Sequence, residues 1–144
     1  MMLRIIVIAT TLVLVSPMAQ AAVYIVSVGN NLGDREDAPL RYAERDALAF
    51  STLMRNLGGA SPEHAILVQG SSANDLRRTL LETNRRIRQA QSRGKHHNTL
   101  VVFYSGHADN KGLHMNRSKL PYDELRALVE SSPAAARVLI LDSC

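Results

Sequence analysis

Four short, almost continuous apolar runs constrain this chain more than any other feature: Val23 to Val28, Ala65 to Val68, Thr99 to Tyr104 and Val138 to Leu141. A strand with one face in water alternates apolar and polar residues. A strand that is apolar at both parities needs cover on both faces, as in a parallel sheet held between layers of helix. The intervening stretches have the periodicity to supply that cover. Leu40, Ala43, Ala47, Phe50, Met54 and Leu57 recur on one helical face, with Pro39 predicted at the first helical position and Gly58-Gly59 as the stop. A second helix is predicted from about Asn74 to Arg93, turning Leu76, Leu80, Ile87 and Ala90 inward and ending at Gly94. A third begins at Pro121, buries Leu125, Leu128 and Val129, and ends before Pro133, while Lys111-Gly112 predicts a small hairpin. The expected class is α/β, a mainly parallel sheet with helices on both faces and all four runs buried.

Right-handed crossovers bring the carboxyl ends of such strands to one edge, where sites in open α/β sheets lie. Two of the runs deliver chemistry there. Thr99 to Tyr104 leads into Ser105-Gly106-His107, and Val138 to Leu141 leads into Asp142-Ser143-Cys144. Cys144 is the sole cysteine, so the sequence offers neither an internal disulfide nor a site of paired thiolates. A thiol and an imidazole at neighbouring strand ends form a candidate nucleophilic pair. Cys144 would attack a carbonyl, and His107 would take the thiol proton and return one to the leaving group. Backbone N–H groups of Cys144 and of the residue beside His107 would face the oxyanion. Asp142, two residues before the thiol, shares its side of the strand and either orients that edge or caps a loop.

Other features exclude more than they assert. Arg77, Arg78, Arg85, Arg86, Arg88, Arg93 and Lys95 cluster around Glu82, but no aromatic residues interleave with them. A solvated helix face is therefore expected, and no nucleic-acid partner. The net charge of +4 is mild. Gly29-Asn-Asn-Leu-Gly33 lacks the spacing of a phosphate-binding loop. His96, His97, His107 and His114 have no ligands at metal-site spacing, so neither metal nor cofactor is expected. Arg4, the apolar stretch Ile5 to Val15, Ser16-Pro17 and Ala19-Gln-Ala21 read as a signal peptide over residues 1–21. The remaining domain, residues 22–144, is then exported to the periplasm or beyond, with no membrane partner after cleavage.

Val101-Val-Phe-Tyr-Ser-Gly-His107 and Val138-Leu-Ile-Leu-Asp-Ser-Cys144 resemble the histidine and cysteine motifs of caspase-like cysteine peptidases, in particular the bacterial branch related to metacaspases. Tyr24-Ile-Val-Ser-Val-Gly-Asn and Pro39-Leu-Arg-Tyr-Ala-Glu-Arg-Asp46-Ala47 are similar to that branch's opening strand and first helix, so the resemblance spans about residues 22 to 144. It implies a three-layer caspase-like fold and cysteine endopeptidase activity on a polypeptide substrate. It also implies His107 and Cys144 as the dyad, and Ala108 and Cys144 as backbone oxyanion donors. Asp46 together with Ser105 would line the pocket for the substrate residue before the cut. An acidic pocket suits Arg or Lys there. Relatives that cut after Asp carry an Arg where this chain has Leu40. The alternative for Asp46 is a surface acid paired with Arg41 or Arg45.

Two departures from the family pattern stand out. Ala108 replaces a customary glycine, costing roughly 1 kcal/mol if the position needs a positive φ. The family also continues past its cysteine, so the chain is expected to be truncated after about the fourth core strand. It would lack the C-terminal portion of its own domain and turn over little in isolation. The competing expectation is a caspase-like binding module without catalysis.

Overall fold

The computed structural model describes residues 21–143. Almost all of the expected signal peptide and Cys144 itself lie outside the described residues. The elements run β1 (Val23–Asn30), α1 (Ala43–Asn56), a single 3-10 turn (Pro62–His64), β2 (Ala65–Gln69), α2 (Ala73–Ser92), β3 (Thr99–Ala108), β4 (Gly112–Met115), β5 (Ser118–Pro121), α3 (Tyr122–Glu130) and β6 (Ala136–Ser143).

The strands β2, β1, β3 and β6 lie side by side in that order, and all three pairings are parallel. β3 outruns its parallel neighbours by two residues. From His107 onward it pairs with β4 in the opposite sense, and β4 then pairs antiparallel with β5. Alternation along β1 and β3 divides the core into two layers. Tyr24, Val26, Val28, Leu100, Val102 and Tyr104 pack on one face with Leu76, Leu80 and Ile87 of α2 and Leu125 and Val129 of α3. Ile25 and Val101 point to the other face, against Phe50 and Met54 of α1. Phe50 stacks on Phe103 with ring centroids 4.3 Å apart. Helices thus cover both faces, as the apolar runs require. Helix, sheet and helix stack as three layers, as the resemblance implies.

Local chemistry explains most boundaries. Ser72 and Asp75 form a reciprocal capping box at the start of α2: Asp75 N–H donates to the Ser72 hydroxyl and Ser72 N–H to the Asp75 carboxylate. Gly29 has no room for a side chain, because a Cβ there would run into the backbone of Ala43 and Glu44 in α1. Its smoothness sets how closely α1 approaches β1, a packing role and not that of a phosphate loop.

Three expectations need correction. Pro39 does not open the first helix: α1 begins at Ala43, and residues 31–42 form a connecting segment. That segment is pinned by Leu40 N–H donating to Asn31 O, and by Asn31 and Glu44 bonding each other's backbone through their side chains. Leu57 is not inward but 81% exposed, beyond the end of α1. The last run, β6, is a strand as predicted but is exposed along its whole length. It gains one strand neighbour, β3, and of the helices α3 packs on it most, so its faces lack the layers that bury β1.

Candidate active site

The carboxyl end of β3 carries the first functional group. His107 is not in a loop after the strand but within β3, directly across from His114 of β4. The His107 ring leans on the segment between β1 and α1, with Nε2 2.8 Å from Ala38 O. A carbonyl only accepts, so Nε2 carries a proton. In the neutral ring the base is then Nδ1, the nitrogen a proton-accepting histidine must present to its nucleophile. Gly33 makes this approach possible, since a Cβ there would collide with both the Asp37 carboxylate and the His107 ring.

β6 supplies the neighbouring edge. Its parallel register places Asp142 beside Ser105 and Ser143 beside Gly106. Cys144 follows Ser143 in the sequence and lies outside the described residues.

A cleft of about 230 Å³ opens where β3, β6 and the start of α1 meet, lined among others by Tyr42, Asp46, Ser105, Asp142 and Ser143. The structure therefore brings Asp46 and Ser105 to one concavity and adds Asp142. Asp46 makes no ion pair with Arg41 or Arg45 among the described contacts, and the Arg45 guanidinium instead sits 4.5 Å over the ring of Tyr42. Ala108, the predicted oxyanion donor beside His107, continues β3 and pairs with Leu113. Its φ is not positive, so the strain expected from replacing glycine does not arise.

A second charged cluster adjoins His107 and was not foreseen. The ring of His114 is buried, with Nδ1 2.6 Å from Asp37 Oδ2. Nε2 lies 3.1 Å from Asp109 Oδ2 but off the line a hydrogen bond needs, so that contact is electrostatic. Lys119 reaches Asp34 at 3.3 Å and Asp109 at 3.4 Å. Burial works against a charge on His114, but the bond to Asp37, the contact with Asp109 and the field of Asp37 outweigh it and raise its pKa. The hydrogen bond from His114, then that from Asp34 N–H, hold Asp37 below the usual carboxylate range. The register was the available signal. A turn centred on Asn110-Lys111 necessarily sets position 107 against position 114.

The matching family model, described as a caspase domain, covers residues 24–144. The chain belongs to the caspase domain family. A comparison with curated proteins finds no match. Cysteine peptidase activity is the chemistry that a caspase domain indicates, with a polypeptide as substrate. Among the described residues of this caspase domain, no group of three or more His, Cys, Asp or Glu side chains is arranged to hold a metal ion, and no helix is long and apolar enough to cross a membrane. The basic residues of α2 sit largely on its solvent side, where Arg85 and Arg86 both bond Glu82 within the helix.

Proposed function

We propose that this chain carries the catalytic dyad of a caspase-like cysteine endopeptidase, with Cys144 as nucleophile and His107 as its proton partner. The observation that carries the proposal is the hydrogen bond from His107 Nε2 to Ala38 O. It reserves Nδ1 for proton transfer in a ring that stands next to the β3–β6 register leading to the thiol. Attack of the Cys144 thiolate on the scissile carbonyl gives a tetrahedral intermediate, whose oxyanion faces the backbone N–H groups of Ala108 and Cys144. His107 then protonates the departing amine. The acyl-enzyme is released by water through the same two groups in reverse.

The cleft holding Asp46, Ser105 and Asp142 receives the substrate residue before the cut. Among the described residues no Arg or Lys is paired to Asp46 or Asp142. Although Arg41 also lines the cleft, two carboxylates outnumber its one charge and favour a guanidinium or ammonium there, which supports cleavage after Arg or Lys. The domain is proposed to act outside the cytoplasm after loss of residues 1–21, and N-terminal sequencing of the mature protein should begin at Ala22 or Val23.

The deciding experiment compares the full chain with Cys144→Ala on fluorogenic peptides ending in Arg, Lys or Asp. Turnover by this chain, expected to be slow, falls on Arg and Lys peptides and is lost in the variant. Turnover retained by Cys144→Ala sinks the dyad, and a preference for Asp sinks the pocket assignment. A thiol inert to a peptide-like electrophile supports a binding module in its place.

A further inference from the structure

His107 and His114 face each other across β3 and β4, and they grip consecutive residues of the same segment. His114 Nδ1 holds the carboxylate of Asp37, and His107 Nε2 takes the carbonyl of Ala38. We propose that His114 is a positioning residue for His107: by anchoring Asp37 it fixes the Ala38 carbonyl that orients the His107 ring. The inference rests on His107 being the proton partner of the thiol.

Three further observations place the anchor on the β4–β5 hairpin. First, the hairpin tip clamps the same segment upstream, where Asn116 N–H donates to Leu32 O at 2.7 Å and Arg117 N–H to Gly33 O at 2.8 Å. Both tip residues have positive φ, 44° and 64°, which non-glycine residues adopt only when their surroundings hold them there. Second, the buried Tyr104 hydroxyl lies 2.8 Å from His107 O and 2.9 Å from His114 O, joining the two histidine backbones from the opposite face. Third, Asp37 is also held from the segment side: its Oδ2 accepts from Asp34 N–H at 2.6 Å, closing residues 34–37 into a tight turn. The segment that presents Ala38 O is therefore a closed loop, held upstream by the hairpin tip and, next to Ala38 itself, by His114.

A buried imidazole with carboxylates at both nitrogens is built for support. His114 is buried and lies outside the cleft that holds Asp46 and Ser105. The charged groups facing it are Asp37 and Asp34 from the segment, Asp109 from the turn after β3, and Lys119 from β5. They hold the ring in one orientation.

The test uses the full chain and three variants. His114→Asn keeps a donor close to the position of Nδ1, His114→Phe keeps the volume without a donor, and Asp37→Asn changes the other partner without touching the core. Imidazole nitrogen NMR reads the His107 tautomer directly and needs no turnover. In the parent chain His107 should hold its proton on Nε2 alone. In His114→Phe and Asp37→Asn it should become a mixture of the two tautomers, and in His114→Asn it should stay close to the parent. The kinetic counterpart is a fall in kcat of about 10- to 100-fold for His114→Phe, with KM changed by less than about 3-fold. An unchanged His107 tautomer in Asp37→Asn overturns the proposal. So does a kcat loss as large in His114→Asn as in His114→Phe. A parent thiol inert to a peptide-like electrophile refutes the peptidase proposal, and the tautomer measurement still decides the positioning.

Discussion

β3 has two parallel neighbours, β1 on one side and β6 on the other, each in register with it over eight residues. Their sequences make the same demand, since both are apolar at consecutive positions. β1 meets it, with seven of its eight residues buried between α1 on one face and α2 on the other. β6 does not, and every one of its eight residues is exposed. An apolar run therefore records what a strand requires, while burial is supplied by the layers placed over it. The register makes the contrast local: Val101, 6% exposed, pairs with Val138, 42% exposed.

Substituting that pair gives the largest expected difference. Val101→Asp buries a carboxylate between β1, β6 and α1 and should cost about 4 kcal/mol or more, enough to unfold a domain of ordinary stability. Val138→Asp should cost this chain about 1 kcal/mol, because the new charge stays in contact with water. Urea denaturation of both variants measures the gap, and equal losses would mean that β6 is covered in solution. A smaller effect tests the cover itself. Ser72→Ala removes the capping box of α2 and should cost about 1 kcal/mol. Hydrogen exchange should then quicken in α2 and in β1 beneath it, while β6 changes little.

The least dramatic expected outcome concerns pH at the far end of the same sheet. The carboxylates of Asp34, Asp37 and Asp109 have lowered pKa values, so their contribution is present above about pH 4 and lost as pH falls through the lowered values. The pKa of His114 is raised, so its contribution is complete below about pH 6.5 and lost as pH rises through the raised value. The stability difference between the parent chain and Asp37→Asn should therefore be greatest between about pH 4 and about pH 6.5. A difference that grows steadily above pH 8 would contradict the assignment of His114.

Much of the fold was legible because its signals are local. The apolar runs, the glycine after α2, the Lys111-Gly112 hairpin and the proline before β6 each act within a few residues. Pro39 misled for a physical reason: its fixed φ suits a segment as well as a first helical turn, and here Asn31 and Glu44 hold that segment out of the helix. The place of His107 at a strand end was legible, whereas Asp46 and Ser105 entered only through a resemblance, because nothing in their local sequence separates a pocket residue from a surface one. The pairing of His114 with Asp37 was not legible. Those residues are far apart in the chain and meet only through the sheet.

Alternation along β3 carries one last implication. Ser105 and His107 project on the face of Val101 and Phe103, and Gly106 between them lets the Tyr104 hydroxyl pass beneath. The site is thus encoded in the parity of a strand. Over generations such a stretch can exchange one side chain for another, yet it cannot gain or lose a single residue between Leu100 and His107. A change of length by one ahead of Tyr104 would send the pocket serine and the imidazole together to the α2 side and turn Tyr104 out of its core.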